Sequence, residues 1–268
     1  MNLVQSYLTR NPCYGANINK QDNRYATFQR RGPEGLMLHS VGCPQPSAQV
    51  FVNLWNNAAY TAACVHGFID ANTGTIYQTL PWNFRGWHGG YGSKGNSNDT
   101  HIGVEMCEPG NITYTSGCAF KCSDLTSARA AARRTYQAAV ELFAMLCENY
   151  GLDPLKPGVI VSHAEGFKRG IATNHGDPEH LWRGLGMSLT MDGFRNDVYK
   201  TMQKNAESEE DEMQRYNTVA ELPEAYRKDI QTLIDKGLLR GKGDVNHLDL
   251  TEDMARVLIV CGRMQGVL

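Results

Sequence analysis

Apolar and polar positions repeat along this chain with two periods, near two and near 3.6 residues, and the changes between them outline its elements. Leu36-Met37-Leu38-His39-Ser40-Val41 reads as a short apolar strand. Ser47 stands where a cap would open a helix whose Phe51, Leu54, Trp55 and Ala58 recur at helical spacing. Residues 62–70 and 75–80 flank Asn72-Thr73-Gly74, a hairpin turn signal. Residues 100–107 form a further strand. Asp124 opens a long helix with Tyr136, Val140, Phe143, Cys147 and Tyr150 on one face, and Gly151 closes it. Val159-Ile160-Val161-Ser162-His163 reads as the next strand, with His163 at its end, and Asp192 starts a helix carrying Phe194, Val198 and Met202. The mixture predicts an α/β domain with a central mixed β-sheet flanked by helices.

Residues 216–268 predict two helices and a small all-α module. The first runs from about Pro223 to Lys236, closed by Gly237, and the second starts after Thr251 with Met254, Val257, Leu258 and Cys261. About 50 residues with two helices are marginal alone, so the module is expected to pair with a second copy as a homodimer, to pack on the main domain or to bind a partner. Between the two parts, residues 206–215 hold five acids and one base and read as a linker. The expected organisation is a domain over 1–205, a linker over 206–215 and the module over 216–268.

Charge and composition narrow the class. The 268 residues carry a net charge of −2, with 41% hydrophobic and 20% charged residues. That excludes a disordered polyelectrolyte and offers no basic field for nucleic acid. Residues 1–205 carry 18 bases against 15 acids, a small excess that suits an anionic polymer without deciding for one. No apolar run approaches the roughly 18 residues of a membrane span. The opening Met1-Asn2-Leu3-Val4-Gln5 lacks the pattern of a secretory signal, so the eight cysteines are expected to be reduced thiols in a protein made in the cytoplasm. Cys118 and Cys122 lack a second pair for structural zinc.

Seven of the eight histidines precede residue 181, and the reactive chemistry gathers with them. His39 and His163 both lie at strand ends, from which two imidazoles of one sheet can aim at one point. A catalytic zinc site takes three protein ligands and keeps an open position. Asn174-His175-Gly176-Asp177-Pro178 offers the third. Asp177 is either a ligand or a plain helix cap, and His175, two residues earlier, shares its direction in an extended loop. On the strand 100–107, His101, Gly103, Glu105 and Cys107 share one face and Ile102, Val104 and Met106 the other. Glu105 among these apolar neighbours needs a partner or a function. It is either a general base beside a cation or half of a buried ion pair with an arginine such as Arg85. Arg85-Gly86-Trp87-His88-Gly89-Gly90-Tyr91-Gly92 is either a ligand-binding loop or a flexible glycine loop. His66 reads as a satisfied core histidine.

Taken in order, Leu38-His39-Ser40, the turn at Asn72-Thr73-Gly74, Arg85-Gly86-Trp87-His88-Gly89-Gly90, Asn98-Asp99-Thr100-His101-Ile102-Gly103-Val104-Glu105, and His163 with Asp177-Pro178 resemble the type 2 N-acetylmuramoyl-L-alanine amidase family. That family includes phage endolysins, wall-recycling amidases and peptidoglycan recognition proteins. The resemblance spans about residues 30–200 and implies Zn²⁺ on His39, His163 and Asp177, with Glu105 as the catalytic carboxylate. It implies a role for His175 in stabilising the oxyanion, where the recycling branch often carries Lys; Glu179 stands where a Gly is common. Arg85, Trp87, His88 and Asn98 are the expected substrate contacts.

The implied reaction cleaves the amide between the lactyl group of N-acetylmuramic acid and L-alanine of peptidoglycan. The implied setting is a phage or prophage endolysin of low-GC Gram-positive bacteria, released to the wall by a holin. Alternatives are a peptidoglycan-binding module that does not cut and a zinc peptidase of the stem peptide. The C-terminal unit weakly resembles half of an S-layer-homology-like or wall-anchoring module.

Overall fold

A computed structural model describes the backbone of all residues except 213 and 243–246, and the side chains of all but these and 208–212. The chain divides into two compact units, Met1–Met202 and Gln203–Leu268.

The first unit opens with strand β1 (Leu3–Gln5) and helices α1 (Pro12–Ile18) and α2 (Asn23–Arg31), capped by the side chains of Asn11 and Asp22. Strand β2 (Gly35–Ser40), helix α3 (Ala48–Trp55) and the hairpin β3 (Gly67–Ile69) with β4 (Ile76–Gln78) follow. A 3₁₀ turn at Ser97–Asp99 leads into β5 (His101–Met106), and β6 (Ile112–Ser116) and β7 (Ala119–Cys122) form a separate two-stranded ribbon. Then come α4 (Leu125–Tyr150), β8 (Ile160–Ser162), α5 (His163–Arg169), α6 (Glu179–Gly184) and α7 (Met191–Glu212). The expected helix from Asp124 to Gly151 is present. Asp124 accepts from the Ser127 amide, and Gly151 adopts the left-handed conformation that ends the helix.

Six strands form one mixed sheet in the order β1-β4-β3-β5-β2-β8. Only β3 and β4 are antiparallel; the other neighbours run parallel. Alternation along the central strands decides what each face does. Leu36 and Leu38 of β2, with Ile102, Val104 and Met106 of β5, are fully buried in one core with Leu142, Phe143 and Leu146 of α4. The alternate residues, Met37 and His39 on β2 and Gly103 and Glu105 on β5, belong to the opposite face. His39 and Glu105 are register partners near the carboxyl ends of two parallel strands, the end at which open α/β sheets bind ligands.

The main core also anchors the loop that follows α5. Trp182 of α6 is 1% exposed and meets Tyr136 edge-on at 5.6 Å, and Tyr136 meets Phe194 of α7 at 5.4 Å. Burying a side chain of this size contributes roughly 3 kcal/mol, which holds residues 174–178 from their downstream end.

Two expected features differ in detail. His163 does not end a strand; β8 stops at Ser162 and His163 is the first residue of α5. Ser162 accepts from the Glu165 amide while Glu165 reaches back to the Ser162 amide, a reciprocal cap that starts the helix. The acidic stretch expected as a linker is helical over its first part, since α7 extends to Glu212. Residue 213 of that stretch, and the side chains of 208–212, lie outside the described residues.

In the second unit, a 3₁₀ turn at Val219–Glu221 precedes α8 (Glu224–Asp235) and α9 (Glu252–Met264), the two helices the periodicity predicts. Thr251 caps α9 through the Met254 amide. Tyr216, Leu222, Ile230, Leu233, Leu248, Leu250, Ala255 and Ile259 form its own core. No described helix is long and apolar enough to cross a membrane.

Candidate metal centre

Three segments far apart in sequence deliver His39, His163 and Asp177 to one point. β2 brings His39, the first turn of α5 brings His163, and the loop before α6, with a cis Asp177–Pro178 bond, brings Asp177. His39 Nδ1 lies 3.0 Å from His163 Nδ1 and 3.3 Å from Asp177 Oδ2, and His163 Nδ1 lies 3.7 Å from Asp177 Oδ1. All three are buried, and one ligand atom from each falls within 4.8 Å of the others. The Ala164 amide donates to the Asp177 carbonyl, tying the loop to the start of α5.

The outer nitrogens show where the hydrogens sit. His88 Nε2 is 2.9 Å from the His101 carbonyl, which only accepts, so Nε2 carries the hydrogen. Burial pushes the His88 pKa well down, and its neutral ring presents Nδ1 as an acceptor to His39 Nε2 at 3.0 Å. His39 therefore donates outward from Nε2 and turns Nδ1 inward, with a lone pair there whenever the ring is neutral. His163 is arranged alike. Thr173 Oγ1 donates to the Gly89 carbonyl and accepts from His163 Nε2 at 3.2 Å.

With both rings neutral, two lone pairs 3.0 Å apart and a carboxylate thus face a common centre, which is repulsive unless positive charge lies among them. Burial alone would lower the His39 pKa, yet the Asp177 and Glu105 carboxylates raise it, while His163 is pushed down to about 3, chiefly by burial. The cluster therefore draws one positive charge into a buried place. Two imidazoles and a carboxylate fit zinc, with a fourth position open for catalysis.

Glu105 lines the same cleft. Its Oε2 is buried with no hydrogen-bond partner among the described residues, and burial pushes its pKa up to about 8 against the pull of His39. The alternative of an ion pair with Arg85 does not hold. Arg85 is 3% exposed, donates from Nε to Asp99 at 2.6 Å and lies over the Tyr25 ring. A side chain so enclosed is not among those that line the cleft, which departs from its expected substrate contact.

The cleft measures about 910 Å³ and is lined by His163 and Asp177 of the cluster. Trp87, His88 and Asn98 all line it, but each is already engaged. Trp87 Nε1 donates to Tyr25, and Asn98 Oδ1 accepts from the His88 and Gly89 amides. His175 is exposed at the lip, with Nδ1 3.2 Å from His163 Nε2. His66 is the core histidine expected: Nδ1 accepts from the Gly103 amide and Nε2 meets the Phe84 carbonyl.

Residue-level reading missed a second layer. Glu108, fully buried, accepts from Ser40 Oγ at 2.7 Å, from the Gly42 amide at 3.1 Å and from the Tyr114 hydroxyl at 2.7 Å. Tyr114 also meets His180 Nε2 at 2.6 Å. This network ties the end of β2, the β6–β7 ribbon and α6 together beside His39 and Asp177. The one signal for it was an acid directly after the apolar Met106-Cys107 and before Pro109.

The sequence profile of Amidase_2, the N-acetylmuramoyl-L-alanine amidases, matches residues 29–180, more than half of the chain, and the chain belongs to that family. Among solved structures, it is similar to the Staphylococcus aureus hydrolase AmiA in complex with its ligand, at 20% identity over 65% of this chain and 75% of that one, with a TM-score of 0.48. It is similar to a mutant endolysin from Bacillus subtilis at 20% identity over 74% and 99%, with a TM-score of 0.46. The AmpDh3 structure from Pseudomonas aeruginosa aligns at 18% identity over 87% and 92%, with a TM-score of 0.39. No curated protein matches this sequence significantly.

Proposed function

We propose that this chain is a zinc-dependent N-acetylmuramoyl-L-alanine amidase that hydrolyses the lactyl-amide bond between N-acetylmuramic acid and L-alanine. The observation that carries the reading is the convergence of His39 Nδ1, His163 Nδ1 and an Asp177 oxygen on one buried centre. Zinc held there supplies Lewis acidity toward the scissile carbonyl and makes water a better acid at neutral pH. Glu105, raised by burial and standing in register with His39, takes the proton of the attacking water and returns it to the departing amine. His175 at the lip stabilises the developing oxyanion, an effect on the order of 3 kcal/mol for one well-placed donor. Trp87 and Asn98 shape the groove for the glycan and stem.

The cellular role proposed is that of a phage or prophage endolysin acting on Gram-positive wall after holin-type release. The catalytic part is residues 1–205; residues 216–268 target the wall or pair two copies. Sedimentation of the full chain against residues 1–205, beside wall pull-down by residues 206–268, separates those roles. The activity is tested by digesting purified Gram-positive wall with and without a chelator. Clearing that zinc restores supports the reading; clearing indifferent to the chelator removes it.

A further inference from the structure

We infer that His88 is a positioning residue of the metal centre, fixing which nitrogen of His39 faces the cation, rather than a substrate contact. The inference rests on the zinc reading of His39, His163 and Asp177. The geometry is a one-way chain: the His101 carbonyl accepts from His88 Nε2 at 2.9 Å, and His88 Nδ1 accepts from His39 Nε2 at 3.0 Å. The first link admits one direction only, so the second is set: His39 keeps its hydrogen on Nε2 and turns Nδ1 toward His163 and Asp177, where a cation can take the place of a second proton.

The surroundings are shaped for the His88 ring. A methyl group at Gly103 would lie 2.3 Å from His88 Cγ, so β5 carries no side chain where the ring lies flat against it. Asn98 Oδ1 takes the His88 and Gly89 amides at 2.8 and 2.9 Å, which fixes the backbone that carries the ring. The His39 and His88 rings meet edge-on, 5.2 Å between centroids and 80° between planes, an arrangement compatible with an in-plane N–H donor. Metal-binding histidines usually give their second N–H to a carboxylate, a carbonyl or water. Here the acceptor is a neutral imidazole whose own orientation is set by a peptide group.

The test compares the full chain with His88→Phe, which keeps a ring but no acceptor, and His88→Asn, whose side-chain oxygen can replace Nδ1. Zinc affinity is measured by chelator competition. Loss of such a partner weakens metal binding by roughly 10–100-fold, expected for His88→Phe, with substantial recovery in His88→Asn. A ring that merely filled space would leave zinc affinity unchanged in His88→Phe, and that result overturns the inference. Should the variants fail to fold, the zinc-loaded wild-type chain decides: ¹⁵N NMR is expected to show coupling between His39 Nε2 and His88 Nδ1 through the hydrogen bond. Its absence, or a hydrogen on His39 Nδ1, overturns the inference. A wild-type chain that binds no zinc overturns the metal reading itself, whereas wild-type binding with unaltered His88→Phe affinity overturns only the role of His88.

Discussion

Replacing Glu108 by Ala removes one acceptor from three donors at once. Ser40, 5% exposed, loses the partner of its hydroxyl; the Gly42 amide loses its acceptor; and Tyr114 loses one of two partners. A buried donor left unsatisfied costs about 1–3 kcal/mol. Ser40 alone gives roughly 1–3 kcal/mol, with Gly42 and Tyr114 adding little because water reaches the exposed Gly42 and the half-buried Tyr114. That is a large fraction of the roughly 5–15 kcal/mol that holds a domain folded.

Glu108→Gln should cost only about 1 kcal/mol. Its amide oxygen can serve Ser40 and Gly42, and its NH₂ can face Tyr114 if the hydroxyl turns its hydrogen to His180. That turn is open because His180 Nδ1 has no partner among the described residues and can take the ring hydrogen instead. Urea unfolding followed by tryptophan fluorescence reports the first unit alone, because Trp55, Trp82, Trp87 and Trp182 all lie there. An unchanged denaturant slope with a lower midpoint marks a stability change. The reasoning is refuted if the Ala variant stays within 1 kcal/mol of wild type, or if Gln costs as much as Ala.

Glu105→Gln should keep zinc and lose turnover by 10²–10⁴-fold, the usual range for a general base; ordinary turnover on soluble muropeptide removes that assignment. His175→Ala should lose rate by on the order of 10²–10³-fold with zinc retained; loss of zinc instead makes it a ligand. In chelator-treated protein, His66 and His101 have pKa values lowered to about 4, mainly by burial. Their stabilising share is full above the unfolded value near 6.5 and disappears as pH falls through about 4. Glu105, raised to about 8, acts in the opposite sense: its share is full below the unfolded value near 4.5 and is lost as pH climbs through 8. Thermal melts should therefore be highest between pH 6 and 7, and Glu105→Gln should flatten only the alkaline side. An acid side flattened by that variant would contradict the assignment.

Much of the site could be read before the fold because its chemistry sits on simple periods. β2 and β5 alternate strictly, so His39 and Glu105 had to leave the face that Leu38 and Val104 bury. Asp177 was legible as a candidate because Gly176 and Pro178 bracket it tightly, although a plain helix cap fits the same spacing. His163 was placed one element too early, since nothing local separates a strand's last residue from a helix's first when Ser162 can serve both and Glu165 completes the cap.

Arg85 was misread because a loop rich in glycine and aromatics looks open in sequence, whereas Asp99 and Tyr25 enclose its side chain in three dimensions. Glu108, Tyr114 and His180 come together only through tertiary packing of a ribbon, a strand end and a short helix, with no spacing that announces it.

The most direct test is the mass of what the protein releases from purified peptidoglycan. The account predicts stem peptides beginning with a free L-alanine amino group, leaving uncut glycan, and none of these products when zinc is withheld. Shortened stems still attached to the sugar, or the same products in metal-free protein, would contradict it.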